Sequence, residues 1–126
     1  NIRAEKIQKK AAKSGFEFES LQQVFSKVKE ELEELEEVIL AQEDSKKTEK
    51  ARLEEEFGDL MFSMINLSRF LGLNAENSLT NATNKFINRC VGVELLARQK
   101  GEKLSQMSAE ELDALWQSVK CPTKNN

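Results

Sequence analysis

Residues 27–39, KVKEELEELEEVI, decide the fold, because they form a helix whose apolar face also carries charge. A helix advances about 100° per residue, so with Glu31 at zero the apolar side chains fall within roughly −20° to +100°. Glu31 lies inside that stripe, and Glu34 lies near its edge at about −60°. The stripe consists of Leu21, Val24, Val28, Leu32, Leu35, Val38 and Ile39. Two carboxylates are therefore expected beside core residues, while most of the other glutamates point toward solvent.

The next helix along the chain repeats this layout. With Glu56 at zero, its apolar side chains fall within about +20° to +100°, and Asp59 lies near −60°. These apolar residues are Leu53, Phe57, Leu60, Met64, Leu67 and Leu71. Residues three apart on a helix face the same way, so the pairs ELEE (31–34) and EFGD (56–59) can each direct two carboxylates to one point.

Four converging carboxylates need a compensating positive charge, because buried charges are costly and like charges repel. The residues leave two explanations open. In the first, lysine and arginine side chains from elsewhere neutralise the carboxylates, or the edge is simply solvated; in the second, a divalent cation binds there. Oxygen ligands suit Mg²⁺, with Mn²⁺ as a second candidate, and Mg²⁺ usually keeps water molecules that a phosphate can replace. Phosphate is therefore the expected ligand of a metal at this position.

The composition narrows the class of protein. The 126 residues, 39% of them hydrophobic, suffice for one domain, 1–126, and a single Pro, five Gly and no Tyr favour an all-α fold. A net charge of −3 argues against a nucleic-acid partner, and no apolar run is long enough to span a bilayer, so we expect a cytoplasmic protein without a membrane partner. The absence of histidine excludes ferritin-like di-iron sites, most catalytic zinc sites and histidine-assisted nucleophiles.

Cap and turn residues divide the chain into five predicted helices. Their approximate ranges are 2–13, 21–42, 46–71, 75–100 and a last short helix after Ser108. Ser20 with Gln23, and Ser108 with Glu111, have the spacing of a capping box, in which each side chain satisfies a backbone N–H group of the first turn. The other predicted starts and stops are Gly15, Ser45, Gly72, Asn74, Gly101 and Pro122.

A basic face is predicted on the fourth helix. Lys85 and Arg89 are four residues apart, so they lie about 40° from each other on a partly apolar edge. They either bind a polyphosphate together or remain solvated. Trp116, on the last helix, is either a core residue or a platform on which a base stacks. Local patterns do not decide between these readings.

Three runs of sequence carry a resemblance to a known family: KVKEELEEL (27–35), RLEEEFGDLMFSMINLSRFLG (52–72) and NATNKFINR (81–89). They resemble the MazG-type nucleoside triphosphate pyrophosphohydrolases, whose metal motif is ExxE followed by ExxD. The resemblance covers nearly the whole chain and is strongest to the C-terminal, catalytic domain of two-domain members. It implies an all-α, antiparallel bundle of four to five helices completed by homodimerisation. The implied activity is Mg²⁺-dependent hydrolysis of nucleoside triphosphates to monophosphate and pyrophosphate, in nucleotide-pool housekeeping.

The resemblance also assigns roles by position. The metal ligands are Glu31, Glu34, Glu56 and Asp59. The predicted substrate-binding residues are Lys27, Arg52, Lys85, Asn88, Arg89 and Trp116, with Arg52 standing where the family often has lysine. The family often has Asp-Trp where this chain has Glu17-Phe18, which leaves base contacts from that linker open. Independently of the resemblance, Glu30 and Glu55 lie on the rim beside the two ligand pairs; either is the candidate to orient the attacking water, and the sequence does not choose between them.

Two other classes of function remain open at this stage. In an acidic helical adaptor, the apolar stripes would bury partner helices and the carboxylates would only add solubility, so thermal stability would not respond to Mg²⁺. In a regulatory nucleotide-binding module, a triphosphate would bind tightly without release of pyrophosphate.

Overall fold

The computed structural model describes residues 2–44 and 50–120, and the regular structure within them is helical. The elements are α1 (Ile2–Lys13), α2 (Leu21–Asp44), α3 (Lys50–Phe70), α4 (Ala75–Gln99), a short 3-10 helix (Leu104–Gln106) and α5 (Ala109–Lys120). The predicted all-α fold with five helices is confirmed. The 3-10 helix was not predicted, because three residues are too few to establish a period.

One of the two predicted capping boxes is complete, and the other is present in part. Ser108 Oγ accepts a hydrogen bond from the Glu111 N–H group, and Glu111 Oε1 accepts one from the Ser108 N–H group, each at 3.1 Å. Ser20 Oγ likewise accepts from the Gln23 N–H group at 3.2 Å, but Gln23 Oε1 accepts from the N–H group of Glu19, one residue earlier than predicted, at 2.8 Å. The predicted cap at Ser45 and the predicted stop at Pro122 lie outside the described residues.

The end of α3 shows why glycine stands there. Gly72 has a φ of +70°, which a residue with a side chain rarely adopts. This turn lets the N–H group of Leu73 donate to the Ser68 carbonyl at 2.9 Å, and that of Gly72 donate to the Arg69 carbonyl at 3.1 Å. Both bonds satisfy carbonyl groups that the helix end would leave unpaired.

α2 and α3 pack along each other as an antiparallel pair, and α1 packs on α3. The five residues between α2 and α3 reach about 20 Å at most, whereas a helix of this length is about 36 Å long, so α3 has to return beside α2. The buried hydrophobic residues of this region are Val24, Val38 and Ile65. The pairing matters for the site because it brings the two acidic motifs to one interface.

The structure divides after Glu76 into two compact units, an N-terminal unit and a C-terminal unit. The C-terminal unit has a core of its own, formed by Val93, Ala97 and Leu115. Gly92 permits close approach of α5 to α4, because a Cβ atom at this position would lie 3.1 Å from Cγ1 of Val119. The core of this unit therefore depends on a small residue as well as on apolar ones.

Part of the predicted apolar stripe is not buried. Leu32, Phe57 and Met64 are 55%, 54% and 52% exposed. The reason is that α2 meets α3 along the line through Glu31, at one side of the stripe and not at its centre. An uncovered apolar face therefore remains on both helices. Within the described residues, no helix is both long enough and apolar enough to cross a membrane.

Candidate metal centre

Glu31 lies on the side of α2 that is buried against α3. Val24 and Val38 lie seven residues before and after it, which is nearly two full turns, so all three side chains face α3. Their exposed fractions are 0% for Val24, 6% for Glu31 and 3% for Val38. A carboxylate thus replaces a core residue in the middle of the α2 contact, as the helical angles predicted.

α3 brings two further carboxylates to Glu31. One carboxylate oxygen from each of Glu31, Glu56 and Asp59 can be chosen so that all three lie within 4.8 Å of one another. Glu31 is buried, Glu56 is half-buried and Asp59 is exposed, so the cluster opens from the helix interface toward solvent. Three carboxylates that converge in this way could hold a metal ion.

Lys27 partly neutralises the cluster. Its ammonium lies 3.0 Å from Oε1 of Glu31 and 3.0 Å from Oε2 of Glu30. Hydrogen bonds to Glu30 and Glu31 raise the pKa of Lys27 above its ordinary value, so this lysine remains charged. Oε2 of Glu31 and Oε2 of Glu56 are nevertheless buried without a hydrogen-bond partner. Because buried polar atoms are costly when unpaired, these two oxygens fit a site that a cation completes.

Glu34 lies close to the cluster without being one of its three converging members. The negative charge of Glu31 raises the pKa of the Glu34 carboxyl, and burial and the charge of Glu56 add to this effect. The carboxyl group therefore lies within electrostatic reach of both motifs. Its role as a fourth metal ligand stays a prediction.

The remaining predicted residues of the N-terminal unit lie around this cluster. Glu30 shares the ammonium of Lys27, as described above, and its side chain is exposed. Arg52 and Glu55 are exposed in the first two turns of α3. Neither Glu30 nor Glu55 is singled out as the residue that orients water.

The C-terminal unit contains the predicted nucleotide contacts of α4 and α5. The guanidinium carbon of Arg89 lies 5.9 Å from the centre of the Trp116 ring, and Phe86 packs against the same ring at 5.5 Å. Trp116 also packs on the core of this unit and is half-buried. Lys85 and Asn88 are exposed on α4. Trp116 is thus a core residue on one side, and its stacking role stays a prediction.

Sequence reasoning did not single out Gln8 and Arg69. Gln8 is only 4% exposed, and its Nε2 donates to the Phe62 carbonyl at 2.9 Å. Arg69 donates from Nη1 and Nη2 to the two carboxylate oxygens of Glu17 at 2.7 and 2.8 Å. No periodic signal could have found these contacts, because their partners lie more than 50 residues away in sequence.

The fold and the cluster together define a class of protein: an all-helical protein with acidic side chains from two adjacent helices converging on a possible cation site. Residues 19–94 match the profile of the MazG nucleotide pyrophosphohydrolase domain. This range contains both acidic motifs and the basic face of α4. The chain belongs to the MazG nucleotide pyrophosphohydrolase family.

Two curated relatives support the same assignment. The chain is 40% identical over 117 residues to the nucleoside triphosphate pyrophosphohydrolase/pyrophosphatase MazG of Thermotoga maritima, a match that covers 93% of the chain and 42% of the relative. It is 38% identical over 119 residues to the nucleoside triphosphate pyrophosphohydrolase of Escherichia coli K12, covering 94% of the chain and 44% of the relative. The chain thus spans less than half the length of these relatives.

Proposed function

We propose that this chain hydrolyses nucleoside triphosphates to nucleoside monophosphate and pyrophosphate in the presence of Mg²⁺. The observation that carries the proposal is the convergence of Glu31, Glu56 and Asp59 in a chain of this family. Oε2 of Glu31 and Oε2 of Glu56 are buried there without a hydrogen-bond partner. An all-oxygen donor set suits Mg²⁺, or Mn²⁺ as its usual substitute, and does not suit metals that prefer nitrogen or sulfur ligands. By its activity, the enzyme would serve the upkeep of the nucleotide pool.

The residues of the N-terminal unit divide the work of such a reaction. Glu31, Glu56 and Asp59, joined by Glu34, would hold the metal. When bound, Mg²⁺ would neutralise phosphate charge and lower the pKa of a water molecule. Glu30 or Glu55, beside the ligands, would orient that water toward the α-phosphorus, and Lys27 and Arg52 would receive negative charge of the departing pyrophosphate. In the C-terminal unit, Lys85, Asn88, Arg89 and Trp116 are proposed to contact the nucleotide.

We also propose a homodimer. Leu32, Phe57 and Met64 leave large apolar side chains exposed on α2 and α3. An apolar surface on adjacent helices is covered at low cost by the same surface of a second copy, which gives a symmetric interface. A nucleic-acid partner is not part of the proposal, because the chain carries a net charge of −3.

The test is a panel of ribonucleoside and deoxyribonucleoside triphosphates, incubated with Mg²⁺ or with EDTA, with pyrophosphate and inorganic phosphate measured separately. We expect equal amounts of monophosphate and pyrophosphate, only with the metal present. Glu56→Gln should lower turnover by roughly a hundredfold or more, since it removes a ligand charge, whereas the exposed Glu54→Gln should not. Tight triphosphate binding without pyrophosphate release would instead indicate a regulatory module. Release of inorganic phosphate alone would refute the assigned bond cleavage.

A further inference from the structure

α1 carries a stripe of positive charge on the side turned away from α3. Five of its twelve residues are basic and one is acidic. With Arg3 at zero, four of the basic side chains fall within about 80° around the helix, whereas Gln8, which bonds α3, lies at about +140°. All four are exposed, and together they form what we call the basic stripe: Arg3, Lys6, Lys10 and Lys13.

The basic stripe has no acidic partner in the part of the chain that the structure describes. Across residues 2–44 and 50–120, none of its four side chains forms an ion pair. Lys9, the fifth cation of α1, lies beside the stripe and pairs with Glu5, the one acidic residue of this helix, at 2.9 Å. Like charges on one face of a helix repel each other, and an acidic surface would relieve that repulsion.

α2 carries a complementary stripe, which is also turned away from α3. With the buried Glu31 at zero, three exposed glutamates fall between about −100° and −160° around the helix. Lys29, one turn before Glu33, lies over the Phe25 ring at 5.1 Å. Among the described residues, Glu33 and Glu37 have no ion-pair partner. We call the three glutamates the acidic stripe: Glu30, Glu33 and Glu37.

The two stripes match in spacing when the helices run antiparallel. The last three positions of the basic stripe are separated by four and then by three residues, and the acidic stripe, read backward, has the same two steps. Along a helix axis these steps are about 6 and 4.5 Å. Three ion pairs can therefore form at once between α1 of one copy and α2 of another: Lys6 with Glu37, Lys10 with Glu33, and Lys13 with Glu30.

Exposed apolar side chains favour the antiparallel alignment over a parallel one. Ile2 is 65% exposed and lies about 20° beyond the basic stripe, and Leu40 is 54% exposed and lies about 20° beyond the acidic stripe. In the antiparallel alignment, these two side chains lie at the same level and on the same side of the contact. A parallel alignment also matches the charges, but it places Ile2 and Leu40 at opposite ends. The antiparallel contact therefore gains an apolar pair beside its ion pairs.

We propose that the basic stripe of α1 binds the acidic stripe of α2 on a second copy of this chain, in an antiparallel and salt-sensitive contact. A second copy fits better than a polyanion such as nucleic acid, which the net charge of −3 would repel. The contact is separate from the apolar face of the proposed homodimer, since Leu32 lies about 140° from Glu37 around α2. It would therefore join further copies to that dimer, and it does not depend on the proposed activity.

Light scattering at two salt concentrations tests the contact. Exposed ion pairs contribute little individually, so we expect association at protein concentrations on the order of 0.1 mM. The mean molar mass of the wild-type protein should be higher in about 20 mM NaCl than in about 500 mM NaCl, because salt screens exposed charges. The net charge of −3 alone would give the opposite trend, since repulsion between copies is strongest at low salt. An equal mean mass at both salt concentrations would overturn the proposal.

Two charge reversals test the assigned residues. Lys6→Glu/Lys10→Glu places like charges opposite each other in two of the three pairs, and Glu33→Lys/Glu37→Lys does so from the other helix. Each variant alone should lose the salt-sensitive association, with a dissociation constant raised at least about tenfold. An equimolar mixture should regain it, because every stripe then finds an opposite charge on the other variant, and this recovery also shows that both variants are folded. A mixture that stays dissociated would overturn the proposal.

A third variant controls for net charge. Glu54→Lys/Glu102→Lys has the same net charge as Glu33→Lys/Glu37→Lys, but it changes exposed residues outside both stripes. It should self-associate at low salt as the wild-type protein does. If it loses the association as well, net charge and not the two stripes holds the copies together, and the proposal fails.

Discussion

The ammonium of Lys27 lies 3.0 Å from Oε1 of Glu31, whereas Oε2 of the same buried carboxylate has no hydrogen-bond partner. Lys27 also pairs with Glu30 at 3.0 Å, so one positive charge is divided between two carboxylates. Neutralisation by a lysine and binding of a cation are therefore not exclusive in this protein. The lysine pairs with Oε1 of Glu31, and Oε2 of the same carboxylate remains without a hydrogen-bond partner, as a cation site would require.

Glu31→Gln tests this division. The variant should bind Mn²⁺ or Mg²⁺ on the order of tenfold more weakly or worse, because one ligand charge is lost. Its free energy of unfolding in EDTA should change by less than about 1 kcal/mol, since the lost pairing with Lys27 is offset by relief of burial and repulsion. Calorimetric titration and urea unfolding give the two quantities. Glu33→Gln, on the exposed side of α2, is the matched control, and unaltered metal affinity in Glu31→Gln would contradict the site.

Glu34 predicts a dependence of stability on pH. Its folded-state pKa is raised, first by the charge of Glu31, then by burial and by Glu56, so the folded protein binds this proton more tightly than the unfolded chain does. The resulting stabilisation is fully present below the unfolded value near 4.5 and is lost as pH rises through the higher folded value. In EDTA, Glu34→Gln should therefore gain stability relative to wild type as pH rises from 4 to about 7.

Saturating Mg²⁺ should shrink or reverse that gain, because the cation favours the ionised carboxyl group. Thermal melting curves at four pH values, with EDTA and with Mg²⁺, measure both effects. If the stability difference between wild type and Glu34→Gln stays constant with pH in EDTA, the acidic cluster does not shift the pKa of Glu34.

The pair formed by Glu17 and Arg69 predicts the opposite dependence. The hydrogen bonds from Arg69 hold the pKa of the Glu17 carboxyl below its ordinary value, so the stabilisation is present above about pH 4.5 and is lost as pH falls through the lower folded value. A double-mutant cycle with Glu17→Gln and Arg69→Met should give a coupling energy of about 1 kcal/mol at pH 7, for a bidentate and partly buried pair. The coupling measured by urea unfolding should decrease as pH falls below about 4.5. A coupling that is zero at pH 7 would contradict the bidentate geometry.

The uncovered apolar face predicts self-association. Met64→Lys introduces a charge where a large apolar side chain is 52% exposed. If a second copy covers this face, the dissociation constant of the dimer should rise by at least about tenfold, because an interface core does not tolerate an unpaired charge. Light scattering over a range of protein concentrations measures it. Glu37→Lys, on the solvent side of α2, should leave the dimer intact, and a wild-type protein that stays monomeric at all concentrations would remove the proposed interface.

Helix ends were predicted well because the interactions that set them are local. Ser108 and Glu111 satisfy each other within one turn, and Gly72 ends α3 through bonds to carbonyl groups of the same turn. The convergence of Glu31 with Glu56 and Asp59 was also within reach, since a constant rotation per residue places each motif on a known side of its helix. That rotation gives the direction in which each side chain points from its own helix. It does not show which side of the helix packs against a neighbouring helix.

Periodicity, together with cap and turn residues, was thus enough for the helices, for the described capping boxes and for the directions of the two acidic pairs. Packing between distant segments decided the rest: α2 meets α3 along the line of Glu31, which leaves Leu32 exposed, and α1 brings Gln8 to the Phe62 carbonyl. The physical reason is that helix geometry relates only residues within about one turn of each other. Burial and pairing depend instead on which distant segment packs against the helix. The burial of Gln8 and the pairing of Arg69 with Glu17 result from such packing, and no local sequence pattern predicts them.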